Sequence, residues 1–188
     1  SDRLDCAGEF APDLQALRAA GILPVFAGGT QAPLSPANLP GAFAVGALDG
    51  AATLLADSPV GPSPCAPADA VFPQLVAPGA GIITTDSYGV YAIAAGTSLA
   101  AAHVSGALAL VLSVRSGLTA GSQADLLRST AVDLGQPGPD NAFGFGRLNV
   151  GWAVAQARLA GIGPGEWWLL SICLGLAGWL IVRARRDR

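Results

Sequence analysis

The run Thr97–Val114 sets 18 residues in succession without a formal charge, with Gly96 in front of it and small side chains through its first half. As an α-helix it would be about 27 Å long. A helix that is apolar all round either crosses a membrane or lies buried in a large core. Thr97, Ser98, His103, Ser105 and Ser113 sit within it, and neither flank is strongly basic. Those polar groups favour the core, so the chain is read as a domain built around one central buried helix.

The neighbouring segments supply layers to bury it. Asp13–Ala20 has a helical pattern ended by Gly21, and residues 22–27 form a compact apolar run bounded by glycine, which predicts a buried strand. Residues 42–47 and 75–77 predict two more strands, and residues 82–84 and 91–94 a further two. Residues 118–130 predict a short helix with Thr119 as its cap, and residues 149–159 a last amphipathic helix. Strands alternating with helices point to an α/β fold, three-layered, with a mainly parallel sheet and flanking helices. Hydrophobic residues make up 52% of the chain and charged residues 12%, which excludes a disordered polypeptide.

Charge is divided unevenly. Residues 183–188 hold four Arg against one Asp, whereas the remainder is acidic, which gives no reason to expect nucleic-acid binding. Directly before that basic end, Trp167–Val182 reads WWLLSICLGLAGWLIV, with Trp towards both ends. Interfacial Trp and a following Arg cluster mark a transmembrane helix with its carboxyl end in the cytoplasm. A terminal helix docked on the domain is the alternative, and it leaves the Arg cluster unexplained. The expected organisation is a domain over residues 1–160, a linker over 161–166, a transmembrane helix over 167–182 and a cytoplasmic tail over 183–188. The body is then extracytoplasmic on a single-pass cell-membrane protein. In that compartment Cys6 and Cys65 are candidates for a disulfide, against the alternative of two unrelated thiols.

The segment AAGTSLAAAHVSG, residues 94–106, resembles the nucleophile motif of the subtilisin-like serine peptidases. Ser98 opens the long helix, where unpaired N–H groups and the helix dipole favour a developing oxyanion. Other segments follow in that family's order: GILPVFAGGT (21–30), SPANLPGAFAVGALD (35–49), FPQLVAPGAGI (72–82) and STAVDLGQPGPDNAFGFGRLNVGWAV (129–154). GPSPC and the GPDN region bring the chain nearest to bacillopeptidase F-like members. The resemblance spans about residues 7–158 and implies a serine endopeptidase acting on polypeptides, with Ser98 as nucleophile. It places Gly29 at the oxyanion-hole position, and Ala27, Gly28, Gly29, Gly96 and Thr97 beside the substrate. It also implies a cis bond before Pro36. No cofactor and no metal constellation is implied.

Two departures narrow that expectation. The chain has one His and no Lys. His103 lies five residues beyond Ser98 on the same helix, about 140° around and ~7.5 Å along, out of reach for a general base. The catalytic Asp and His are therefore expected in a preceding segment, which makes this chain a fragment that is inactive alone. The family also carries Asn where Gly29 stands, and in subtilisin the loss of that donor costs ~100- to 1000-fold in turnover. An asparagine restored at position 29 is expected to raise turnover if the donor is missing. A catalytically degenerate, membrane-tethered binding or scaffold module is the competing reading. A sedolisin-like mechanism would need a Glu, and neither Glu9 nor Glu166 has a fitting context.

Overall fold

The computed structural model describes residue 6 and residues 8–159. The expected linker (161–166), transmembrane helix (167–182) and basic tail (183–188) lie outside the described residues.

A 3-10 turn at Gly8–Phe10 leads into α1 (Ala11–Ala19). This helix starts two residues before the apolar pattern does, because Pro12 fits a first turn whose N–H groups have no acceptor anyway. The Ile22 N–H then closes its end by donating to Leu17 O. That closure shortens the strand expected from residue 22, and β1 is only Val25–Ala27. β2 (Phe43–Leu48) and β3 (Leu75–Pro78) follow, and the three form a parallel sheet in the order β1-β2-β3. Register pairs Val25 with Phe43 and Val45 with Leu75.

Alternation along β2 sorts its side chains to two faces. Phe43, Val45 and Ala47 join the main core with Leu75 and Ala77. α2 (Thr97–Val114) lies across all three strands and inserts Ala100, Val104, Ala107, Leu108 and Val111 into that core. With 18 residues and a mean hydropathy of 1.7, α2 is long and apolar enough to cross a membrane, but its packing makes it a core helix. It is not buried all round. His103, Ser105, Ala109 and Leu110 face outward, and Leu110 is 54% exposed. α4 (Val150–Leu159) packs on α2, and α3 (Ala120–Ser129) packs on α4 and touches α1. On the other face of the sheet, Ala44 and Phe26 meet Ala37 and Phe72 from loops, so that layer is irregular rather than helical.

The two strands after β3 depart from the parallel pattern. β4 (Ile82–Thr85) and β5 (Tyr91–Ala94) pair antiparallel as a separate ribbon. Five residues join them, too few for a parallel crossover. Asp86 closes the turn by accepting from the Tyr88 and Val90 N–H groups. Caps follow side-chain chemistry. Thr119 Oγ1 accepts from Ser122 N at the start of α3, and Asn149 Oδ1 from Trp152 N at the start of α4.

Candidate active site

The carboxyl ends of parallel strands, where the chain turns away from the sheet, are where open α/β sheets place their ligands. Three glycine turns meet there. β1 runs into Gly28 and Gly29. β3 ends at the Pro78–Gly79 turn, and β5 ends one residue before Ala95–Gly96. Gly96 N donates to Gly79 O at 2.7 Å, which pins the start of α2 against the end of β3. A Cβ on Gly79 would stand 2.6 Å from Ala47 Cβ, so the close approach needs glycine.

Gly96 is the residue before α2, with φ 144° and ψ 165°, and its carbonyl takes the Leu99 and Ala100 N–H groups. Thr97 and Ser98 are then the first two helical residues. Their N–H groups lie in the turn that has no intrahelical acceptors. Ser98 is exposed, while Thr97 beside it is 8% exposed and turned inward. Thr97 Oγ1 donates to Gly29 O at 3.0 Å, across 68 residues of sequence. That bond joins the serine turn to the glycine turn. The two turns share a cavity of about 160 Å³, walled by Gly29, Thr30 and Asp57 on one side and by Ala95, Gly96 and Thr97 on the other.

The expected site residues divide accordingly. Gly29, Gly96 and Thr97 share the cavity, and Ser98 follows directly at its helical edge. Gly28 is buried, donating its N–H to Val45 O and accepting from Leu34 N, and Ala27 closes β1. His103 Nδ1 lies 2.8 Å from Leu99 O on the outward face of α2, so its ring is engaged with its own helix. Thr30 and Asp57 reach the cavity without any motif announcing them. Asp57 O accepts from Gln31 N, and its carboxylate lies 3.4 Å from Gln31 Nε2. Together these contacts hold Gln31 at φ 62°, a left-handed backbone rare for a residue with a side chain.

The backbone at Gly29 bears on the missing asparagine. Its φ is 120°, and a Cβ there would stand 2.5 Å from Ala32 O. Asparagine cannot enter this turn without moving the backbone, so the residue is a built-in feature of the short 29–36 loop and not a simple loss of a side chain. The Ser35–Pro36 bond is cis, as the resemblance implies, and Gly61–Pro62 and Phe72–Pro73 are cis as well. A disulfide joins Cys6 to Cys65. Asn141, in the GPDN segment, accepts from Phe72 N through Oδ1 and from Gly61 N through its carbonyl, tying the GPSPC loop to the segment before β3. Among the described residues no group of three or more His, Cys, Asp and Glu is placed to hold a metal ion.

Comparison with known proteins bears on this geometry. The model of the subtilase family matches residues 6–146. Bacillopeptidase F of Bacillus subtilis (strain 168) is 35% identical over 167 residues, covering 81% of this chain and 11% of that protein. Subtilisin NAT of Bacillus subtilis subsp. natto is 36% identical over 112 residues, covering 60% of this chain and 26% of that protein. The chain thus spans only a small part of the length of these relatives. Among solved structures, the prenylagaramide maturation protease PagA superposes with a TM-score of 0.68 at 24% identity, covering 84% of this chain and 58% of that one, a likeness of fold.

Proposed function

The chain belongs to the subtilase family, and from that premise we propose that it contributes the nucleophile half of a serine endopeptidase site, with Ser98 as the attacking residue. One observation carries the reading: Ser98 is exposed in the first turn of α2, beside a cavity that Thr97 and Gly29 hold together. In this mechanism Ser98 Oγ attacks the carbonyl carbon of a bound peptide, and the Ser98 N–H faces the oxyanion that forms. A histidine from outside this sequence takes the Ser98 proton and passes it to the leaving amine, and water then releases the acyl group. His103 has no part in this, because it bonds to its own helix.

The same reading extends to location. Trp167–Val182 and the Arg cluster after it support a single-pass anchor at the cell membrane with the domain outside the cytoplasm. The Cys6–Cys65 disulfide agrees with an oxidising compartment. A second reading, a peptidase-like scaffold without turnover, is favoured by the Gly29 turn, which excludes the asparagine side chain.

Fluorophosphonate labelling of the complete gene product separates the two. Labelling that maps to Ser98 and vanishes in Ser98→Ala supports the peptidase; a folded full-length sample that takes up no probe supports the scaffold.

A further inference from the structure

Charge is sorted along the strand direction. Arg18 donates to Gly41 O and Arg128 to Gln74 Oε1, just before the amino ends of β2 and β3. Arg115 ends α2 on the side away from Ser98, and Arg158 lies in the last turn of α4, whose Gln156 shares a groove with Arg115. Beyond the carboxyl ends of the strands stand acids instead. Asp49 directly follows β2, Asp57 lines the cavity beside Ser98, and Asp86 closes the ribbon that leads into Ser98. Arg147 is the one arginine at this end among the described residues, and it shares a groove with Asp49.

Two of these acids have local work. Asp49 Oδ1 accepts from the Ala51 and Thr53 N–H groups, and Asp86 Oδ1 from those of Tyr88 and Val90. The Asp57 carboxylate has almost none. Its Oδ1 lies 3.4 Å from Gln31 Nε2, long for a hydrogen bond, and Oδ2 has no protein donor among the described residues. The turn draws on the Asp57 backbone, whose carbonyl accepts from Gln31 N at 2.9 Å, a bond that any residue at this position would offer. Asp57 is exposed, and it is the only charged residue among those that wall the cavity between Gly29 and Thr97.

We propose that Asp57 makes this site selective for peptides with a cationic side chain, arginine or lysine, beside the bond that Ser98 attacks. The inference rests on the peptidase reading. Successive Cα atoms of a peptide are about 3.8 Å apart, so a carbonyl held at Ser98 brings the residues flanking it to the cavity at the edge of the same helical turn. A guanidinium or ammonium group there donates to the free acceptor sites of Asp57 in charge-assisted hydrogen bonds, whereas a glutamate is repelled. Bound peptide covers the carboxylate and reduces solvent screening, which strengthens the contact over that of an open surface pair. The acids at this end of the sheet draw cationic peptides in the same direction.

Digestion of a mixed peptide library by the full-length protein, with cut sites mapped by mass spectrometry, tests it. Fluorophosphonate labelling of Ser98 in the same preparation reports separately on the peptidase reading. Arginine and lysine should be enriched at one position beside the cut, and the side on which they fall identifies the part of the peptide that enters the cavity. On synthetic peptides that differ only at that position, kcat/KM for arginine should exceed that for glutamine at least about fivefold, the upper range for a partly exposed ion pair. Glutamate should be the poorest of the three. Asp57→Asn should bring the arginine-to-glutamine ratio to unity, and Asp57→Lys should favour glutamate over arginine. Should those variants unfold, added NaCl on the parent protein is expected to shrink the arginine-to-glutamine ratio and leave the leucine-to-glutamine ratio in place. Labelled Ser98 with no cationic preference, or with a ratio unchanged in Asp57→Asn, overturns the role of Asp57 and leaves the peptidase reading standing. A folded sample that takes up no probe overturns both.

Discussion

Thr97 Oγ1 donates to Gly29 O at 3.0 Å, and this one bond holds the turn after β1 against the first turn of α2. Neither partner is a nucleophile, yet the spacing of the proposed cleft depends on both. Thr97→Val keeps the shape, removes the donor and leaves a carbonyl without its partner. It should cost about 1–3 kcal/mol, read as a lower midpoint in urea. Thr97→Ser should retain most of the stability. If the complete protein hydrolyses peptides as proposed, Thr97→Val should also lower kcat while Ser98 stays reactive.

Gly29→Asn is expected to lose stability and gain no turnover. The side chain must enter at φ 120° with its Cβ 2.5 Å from Ala32 O, and strain of this kind costs about 1–3 kcal/mol. Thermal unfolding and a peptide-hydrolysis assay on the same sample check both halves of the statement. A rate increase at unchanged Tm would mean that the turn opens readily.

Replacing Cys6 and Cys65 together by serine removes a cross-link across 59 residues of sequence. Chain-entropy arguments put the loss at about 4 kcal/mol. Denaturant unfolding of the double variant, compared with the oxidised parent, measures it.

Burial predicts a sharp contrast between two leucines. Leu127 of α3 is 0% exposed, and Leu127→Ala should cost about 2–5 kcal/mol. Leu110, on the outward face of α2, is 54% exposed, and Leu110→Ala should stay within about 0.5 kcal/mol. Paired chemical denaturation curves report both. A large loss at Leu110 would show that the outer face of α2 is covered in the protein as tested.

Local chemistry was readable wherever a residue acts on its own neighbourhood. The bounds of α2, the cap at Thr119 and the cis bond before Pro36 all follow from nearby residue types or from the family pattern around them. Boundaries failed where a backbone group was claimed from elsewhere, as when Ile22 N closed α1 and shortened β1. The ribbon β4–β5 looked like two more sheet strands because an apolar run of four residues carries no sign of its partner's direction. Within the site, Ser98 and Gly29 were legible through the motif. The bond between Thr97 and Gly29 and the reach of Asp57 into the cavity were not. Each joins segments tens of residues apart, and composition and periodicity say nothing about such meetings.

The disulfide divides the proposed cleft in a topological sense. The covalent ring closed by Cys6 and Cys65 encloses α1, β1, the Gly29 turn and β2, whereas Thr97 and Ser98 lie on the chain outside it. β2 is wholly buried and α2 is seated in the core, so their amides belong to the slowest-exchanging class with or without the ring. The Gly29–Pro36 turn is buried only at Pro33 and Ser35, and besides the ring it is held by single contacts: Gln31 N on Asp57 O, Leu34 N on Gly28 O and Thr97 on Gly29 O. Reduction therefore acts on one wall of the cleft only: amide exchange should quicken through residues 28–36 while the helix carrying Ser98 stays protected, and the geometry of the cleft would be lost well before the fold.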